Sequence, residues 1–328
     1  MRFVFANRFG DAIARSDRLT RLVWWIEGAL VRLLWWGLVA LGPERASRLG
    51  SALLRRFGPR TPKKAELVRQ TLRLIRPEAS TVELDRLEDA SWAGTGAVFG
   101  EYAHLERLGR ADRLQFVDRA GLEAYRDRGR SAVFFGAHYA NWELLALALA
   151  RAGVPMVALY APLQNPHLDR LISSARDQLG CGTHARGDSI RPLLRHLREG
   201  GSIGTLIDLR VADGVDVPFF GHTTRLPSTP ARLALGSGCD LIPIHARRLG
   251  RARYRVTVEP RLEIADLVDR EDAVAAITRR MIEQVEAWVR EDPAQWLIAN
   301  RRWDKTVLDP ERARRHDQST NAAAGGKR

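Results

Sequence analysis

The chain has 328 residues, of which 45% are hydrophobic, and a net charge of +13. It is long enough and apolar enough to bury the core of one large domain or two modest ones, which excludes a disordered chain. The two cysteines are too few for a disulfide framework and lack the paired spacing of a zinc site, so we expect a reducing compartment. The charge favours an anionic partner, whether nucleic acid, phospholipid or an acidic carrier protein.

The first element in chain order is the apolar segment RLVWWIEGALVRLLWWGLVALGP, from Arg21 to Pro43. A run of roughly 20 such residues is long enough to span a bilayer, but Glu27 and Arg32 oppose insertion at its centre. On a helix the four tryptophans share one side and most leucines the other, as in helices that lie in the headgroup layer. We predict a membrane-associated segment over residues 1–43, either spanning or interfacial, and no cleaved signal peptide.

The remaining sequence divides into three parts by its pattern of apolar residues. Residues 44–110 carry apolar side chains at helical spacing and predict a helical subregion. Residues 111–310 alternate strand-like and helix-like stretches, which predicts an α/β core with a mixed sheet flanked by helices. The strand-like runs are RLQFVD, SAVFFGAH, PMVALYAP, GSIGTLIDL, DLIPIHARRL and YRVTVEPRLEI. Residues 311–328 have nothing to bury and are predicted to be disordered.

A histidine stands where one strand-like run passes into a helix-like one. His138 follows AVFFGA and precedes NWELLALALARAG, which places it at the carboxyl edge of the sheet, where open α/β folds bind ligands. Imidazole suits the deprotonation of a hydroxyl near neutral pH. Glu143 would lie in the first helical turn and reach the imidazole only if His138 is still in the preceding turn. Alternatively, His138 simply flanks the helix, and Glu143 is an acid favoured by the helix dipole.

Several segments resemble one enzyme family. HYANWE resembles the H-x4-D/E motif of the glycerolipid acyltransferase superfamily, and GAHYANWELLALAL resembles in particular the bacterial lipid A late acyltransferases, the lauroyl and myristoyl transferases. NPHLDRLISSARDQLG, LIDLRVADGVDVPFFGHTTRLPSTPARLALGSGCDLIPIHARR and NRRW are similar to that family in the expected order. Two positions depart from it: Asn300 stands where histidine is usual, and Asp208 is followed by Leu209 and Arg210 where Asp-Gln-Asp is common. The second departure leaves the acceptor open.

The resemblance implies a glycerolipid acyltransferase-like fold and transfer of an acyl group from a thioester of acyl carrier protein or coenzyme A. The group would pass to a hydroxyl of a membrane lipid, with no cofactor and no covalent intermediate. His138 would be the general base, and Glu143 would orient it. The expected acceptor is a lipid A precursor; a lysophospholipid, a glycosylated phosphatidylinositol or an aminolipid are alternatives. Substrate-binding roles are implied for Asn141, Arg176, Asp208, Phe219, Phe220 and Gly221.

The resemblance also implies a location and argues against other functions. The catalytic domain would lie on the cytoplasmic side of the inner membrane, in contact with anionic lipids, and the two phenylalanines of VPFFG would wall the acyl channel. Nucleic-acid binding is disfavoured because the positive charges are spread along the chain without a recognised module. A thioesterase, in which His138 activates water, is a more distant alternative. We predict no metal site, because the histidines have no metal-ligand spacing: His104, His184, His222 and His245.

Overall fold

The computed structural model describes residues 16–177 and 180–309. Its centre is a seven-stranded sheet in the order β1-β9-β8-β2-β5-β3-β4. The strands are β1 (Leu114–Asp118), β2 (Ala132–Gly136), β3 (Met156–Tyr160), β4 (Gly182–Ala185), β5 (Ser202–Leu206), β8 (Asp240–Gly250) and β9 (Arg253–Val258). Neighbouring strands pair in parallel, except β8 and β9, which are antiparallel. The predicted mixed sheet is confirmed.

Helices precede the sheet and connect its strands. They are α1 (Asp17–Leu41), α2 (Pro43–Phe57), α3 (Pro62–Ile75), α4 (Thr81–Glu101), α5 (Leu105–Leu108), α6 (Glu123–Arg126), α7 (Glu143–Arg151), α8 (Pro166–Asp177), α9 (Arg191–Arg198), α10 (Thr229–Ser237), α11 (Ala273–Glu291) and α12 (Lys305–Leu308). Short 3₁₀ turns lie at Gly58–Arg60, Tyr102–His104 and Pro293–Gln295. The α/β architecture with flanking helices is therefore as predicted, and the predicted disordered tail, residues 311–328, lies outside the described residues.

Two features of the sheet region differ from the prediction. The short edge strand β4 was not predicted, since its sequence GTHA has no apolar run and is half-exposed. The hairpin of β6 (Val215–Phe219) and β7 (His222–Leu226) was not predicted either; the VPFFG segment forms the end of β6 and the turn of this hairpin. The backbone φ angles of Phe220 and Gly221, at 50° and 76°, make the tight turn.

The register of the two central strands positions the site. Every residue of β2 is buried, as expected for a strand covered on both faces. β2 and β5 run parallel, with Gly136 opposite Leu206. Two residues beyond this pair, the chain reaches His138 after β2 and Asp208 after β5. Parallel pairing thus brings together two residues that are far apart in sequence.

Helix α1 lies against the domain along most of its length. The buried residues of this helix are spread along it, at Thr20, Glu27, Gly28 and Leu38. A Cβ added at Gly28 would lie 2.5 Å from His167 Cβ on α8. The opposite side exposes large apolar residues: Leu19, Leu22, Trp25, Ile26, Leu30, Leu33, Leu34, Trp36 and Leu41. Among the described residues, α1 is the helix that is long and apolar enough to cross a membrane. Its exposed apolar surface agrees with the predicted membrane segment.

Candidate active site

His138 is held by its backbone and by its ring. Its backbone N–H and its Nδ1 both contact Asp208 Oδ1, at 3.0 and 2.7 Å. Its carbonyl accepts a hydrogen bond from Leu297 N–H at 2.8 Å, and Ala140 N–H donates to the Gln295 carbonyl at 2.7 Å. With Nδ1–H donating to the carboxylate, Nε2 is the unprotonated nitrogen, and it has no hydrogen-bond partner within residues 16–177 and 180–309. In this tautomer the free lone pair of the ring is on Nε2.

Asp208 is a fully buried carboxylate with several donors. Its Oδ2 accepts hydrogen bonds from Trp296 Nε1 at 2.9 Å and from Arg302 Nη2 at 2.7 Å. Burial alone would raise the pKa of Asp208, but the charges and hydrogen bonds of His138 and Arg302 outweigh it and hold that pKa well below its ordinary value. The carboxylate is therefore ionised at neutral pH and available to stabilise a protonated imidazole.

Arg302 is the buried counter-ion of this carboxylate. Its side chain is 0% exposed, as is that of Asp208. Its Nη1 donates to the carbonyls of Leu297 and Asn300 at 2.7 and 2.9 Å, and its guanidinium lies 3.8 Å from the ring centre of Trp296. Arg302 lies in the NRRW segment, which is part of the family resemblance, but the resemblance implied no role for this residue. Only the folded structure shows that Arg302 binds Asp208, because the two residues are 94 positions apart in the sequence.

Glu143 is engaged elsewhere. Its carboxylate accepts hydrogen bonds from Arg176 Nε and Nη2 at 2.9 and 2.6 Å, from Trp142 Nε1 at 3.0 Å and from the Tyr102 hydroxyl. Burial raises the pKa of Glu143, and the contacts with Arg176 and Tyr102 more than offset this, so its pKa lies below the ordinary value. The structure thus differs from the expectation that Glu143 orients His138: the carboxylate on Nδ1 is that of Asp208, which occupies that position through strand pairing.

An apolar cavity of about 230 Å³ opens beside the imidazole. His138, Trp142, Glu143 and Arg176 line it at the carboxyl edge of the sheet. Its apolar lining comes from α7 and from the sheet: Phe134, Leu145, Ala146, Leu149, Met156, Ala158, Leu206 and Ile244. A largely apolar pocket with a few convergent polar groups is typical of a site that binds a small-molecule ligand. Arg176, which was expected to bind substrate, is therefore one of the residues that line this cavity.

Asn141 is not among the cavity-lining residues. Its side chain is fully buried, and its Nδ2 donates to Glu101 Oε2 at 3.1 Å. The Glu101 carboxylate also binds Arg248, at 2.6 and 3.0 Å, and the Tyr254 hydroxyl. This differs from the expected substrate contact, because Asn141 points into a buried polar network between α4 and the β8–β9 hairpin.

The VPFFG turn also lies apart from the cavity. Phe219 is fully buried and stacks on Trp303 at 5.1 Å between ring centres, with Trp296 edge-on at 5.7 Å. Phe220 N–H donates to Glu286 Oε1 at 2.6 Å, and Gly221 completes the turn. The expected acyl-channel wall is therefore replaced by an aromatic cluster that packs against Trp296, the indole that binds Asp208.

Three other histidines contact backbone carbonyls or an aromatic ring. His104 Nε2 contacts the Leu38 carbonyl at 2.9 Å, His196 Nε2 contacts the Ser202 carbonyl at 3.1 Å, and His245 stacks on Trp288 at 4.6 Å. Within residues 16–177 and 180–309, no cluster of three or more His, Cys, Asp or Glu side chains is arranged to hold a metal ion. His138 differs from these three because its ring is hydrogen-bonded to a carboxylate and also lines the cavity.

The sequence of this chain matches a known family over most of its length. The family model described as bacterial lipid A biosynthesis acyltransferase matches residues 13–305. A phosphatidylinositol mannoside acyltransferase of Mycolicibacterium smegmatis is 27% identical over 287 residues, covering 85% of this chain and 92% of the relative. A lipid A biosynthesis myristoyltransferase of Escherichia coli is 28% identical over 271 residues, covering 79% and 82%. A lipid A biosynthesis acyltransferase of Haemophilus influenzae is 25% identical over 249 residues, covering 74% and 76%.

Proposed function

Because the chain belongs to the bacterial lipid A biosynthesis acyltransferase family and is therefore an acyltransferase of lipid acceptors, we propose that His138 is its general base. The donor is the acyl thioester of a carrier protein or of coenzyme A, and the acceptor is a hydroxyl of a membrane lipid. The observation that carries this proposal is the 2.7 Å contact of His138 Nδ1 with Asp208, with Nε2 left unpartnered among the described residues, at an apolar cavity.

The proposed reaction follows from the fixed tautomer. As the acceptor oxygen attacks the thioester carbonyl, its proton passes to His138 Nε2, and the new imidazolium is stabilised by Asp208. When the tetrahedral intermediate collapses, the carbon–sulfur bond breaks and the departing sulfur takes the proton from Nε2. The products are an ester and a free thiol, and the base returns to its starting state. Each proton and electron pair is accounted for without a cofactor.

Glu143 then has a different role from the one that the sequence suggested. Its two oxygens hold Nε and Nη2 of Arg176 at the cavity mouth, while the Tyr102 hydroxyl binds the same carboxylate. We propose that this pair fixes the shape of the mouth, and that Arg176 retains N–H donors for an anionic group of donor or acceptor. In this scheme Glu143 is a positioning residue, whereas Asp208 orients the base.

For the acceptor we propose a lipid A precursor, in keeping with the family model. A glycosylated phosphatidylinositol is the second candidate, because the mycobacterial relative, a phosphatidylinositol mannoside acyltransferase, aligns over 92% of its own length. Both are membrane lipids that present sugar hydroxyls. We propose that the catalytic domain works on the cytoplasmic side of the inner membrane. Its helix α1 would lie in the interface, since burial from Thr20 to Leu38 holds it against the domain.

The proposal is tested by lipid analysis joined to a site variant. Mass spectrometry of total lipids and lipid A, from cells with and without the protein, identifies the acceptor and the chain from the mass difference. Purified protein is then assayed with that acceptor in detergent and with both acyl thioesters. His138→Ala should lose transfer, whereas His196→Ala, which alters a histidine bound to a backbone carbonyl, should retain it. Equal transfer by wild type and His138→Ala would refute the mechanism.

A further inference from the structure

We propose that Met156 forms the floor of the cavity and limits the length of the acyl chain that the site accepts. This inference rests on the proposed function, since it takes the cavity to be the acyl site. It adds a determinant of donor selectivity, at the end of the cavity remote from His138.

Strand register places the relevant residues on one face of the sheet. Gly204 on β5 lies opposite Phe134 on β2 and opposite Ala158 on β3, while Met156 lies opposite Ser202. Residues two apart on a strand share a face, so Met156 and Ala158 point to the same side. Helix α7 covers this side: a Cβ at Gly136, two residues after Phe134, would lie 2.9 Å from Leu145 Cδ1.

Small side chains leave part of this face open. Gly204 and Ala158 lie opposite each other on two interior strands, yet both are partly accessible, whereas Ile203, one residue before Gly204 and on the opposite face, is fully buried. All three small residues at this level line the cavity: Ala146, Ala158 and Gly204. Their accessible surface is therefore surface inside the cavity, and it gives an alkyl chain room to pass between α7 and the sheet.

Met156 closes that passage. It is buried, and it begins β3, two residues or roughly 7 Å further from the carboxyl edge than Ala158. A Cβ added at Gly204 would lie 3.0 Å from Met156 Sδ and 3.5 Å from its Cε, so the Met156 side chain reaches from its own position opposite Ser202 to the level of Gly204. On the helix side Leu149 lies at the corresponding depth, six residues or about 9 Å along α7 from Glu143.

Two substitutions change the depth in opposite directions. Met156→Ala removes the side chain beyond Cβ and should admit a chain longer by about two methylene groups, since core truncations leave part of the lost volume open. Ala158→Val adds bulk above the floor without disfavouring the strand, and it should shorten the preferred chain by a similar amount. Ile203→Val is the control, because it removes one methylene group of the same sheet on the other face.

The experiment measures binding apart from turnover. Full-length wild type and the three variants are titrated in detergent with saturated fatty acids from octanoic to octadecanoic acid, with thermal stabilisation as the readout, and are then assayed for transfer from the matching thioesters. We expect the chain length of maximal stabilisation to increase in Met156→Ala, to decrease in Ala158→Val, and to stay unchanged in Ile203→Val. The same optimum in all four proteins would overturn the proposal.

The two readouts distinguish this inference from the proposed function. If the optimum moves as expected but no variant and no wild type transfers acyl groups, the floor assignment holds and the acyltransferase mechanism fails. If transfer proceeds with one unchanged chain-length profile in every protein, the mechanism holds and Met156 does not set the length. A length shift in Ile203→Val equal to that in Met156→Ala would also overturn the inference, because it would reflect general loosening of the core.

Discussion

The exchange of Asp208 for asparagine is the most informative test of the site. The amide has the size of the carboxylate and can still accept a hydrogen bond from His138 Nδ1, but it carries no charge to stabilise an imidazolium. In histidine-based sites, loss of the buried carboxylate costs on the order of 10⁴ in kcat. We therefore expect acyl transfer by Asp208→Asn to fall about 10³ to 10⁴-fold, with little change in KM.

The same substitution leaves a buried charge without its partner. Arg302 and Asp208 are both 0% exposed, and the loss of one member of a buried ion pair costs about 3–5 kcal/mol. Arg302 would retain its hydrogen bonds to the carbonyls of Leu297 and Asn300. For this reason we expect a cost near the lower end of that range, about 3 kcal/mol in the free energy of unfolding.

A double variant separates the two effects. In Asp208→Asn/Arg302→Met both charges are gone, and an uncharged side chain of similar length fills the space of the arginine. We expect urea unfolding to show that more than half of the lost stability returns, while transfer stays as low as in Asp208→Asn. Near-wild-type transfer by either variant would refute the orienting role of Asp208. Full recovery of transfer in the double variant would show that only folding had been affected.

Three further predictions concern the base, pH and the membrane. His138→Ala should reduce transfer by at least about 10²–10⁴-fold while the protein remains folded in circular dichroism; activity near wild type would remove His138 from the mechanism. The folded-state pKa values of Asp208 and Glu143 lie below their ordinary 3.8 and 4.5. The contribution of these two carboxylates to the free energy of unfolding is therefore fully present above pH 4.5, and it is lost as the pH falls below these values. Equal urea-unfolding midpoints at pH 7 and pH 3.5 would contradict this. Removal of residues 1–42 should abolish co-sedimentation with anionic vesicles yet leave some turnover in detergent; a truncated protein that still pellets would refute the anchor.

The sequence was sufficient to place His138, the proposed general base, at the carboxyl edge of the sheet. The run AVFFGA has the unbroken apolar character of a strand buried on both faces, and the structure confirms β2 there, with His138 just beyond its carboxyl end. It was not sufficient to identify the acid. Asp208 reaches the imidazole because β5 pairs with β2, and no local pattern encodes a pairing between segments 70 residues apart. Asn141, Phe219 and Phe220 were expected to bind substrate because they lie within or beside family motifs. Their sequence positions do not specify which side of a loop or sheet the side chains occupy, and the structure places them away from the cavity.

The acid of the H-x4-E spacing does not meet His138, although the histidine lies outside the helix. His138 is in the bend that follows β2, and Glu143 begins α7. The Glu143 carboxylate instead meets Tyr102, which follows α4, and Arg176, on α8. The Glu143 carboxylate thus links α7 to α8 and to the turn after α4 beside the cavity. The carboxylate that contacts the imidazole comes instead from Asp208, through the pairing of β2 with β5. Two buried acids, each paired with its own arginine, thus hold Arg176 at the cavity and the imidazole of His138 through separate contacts.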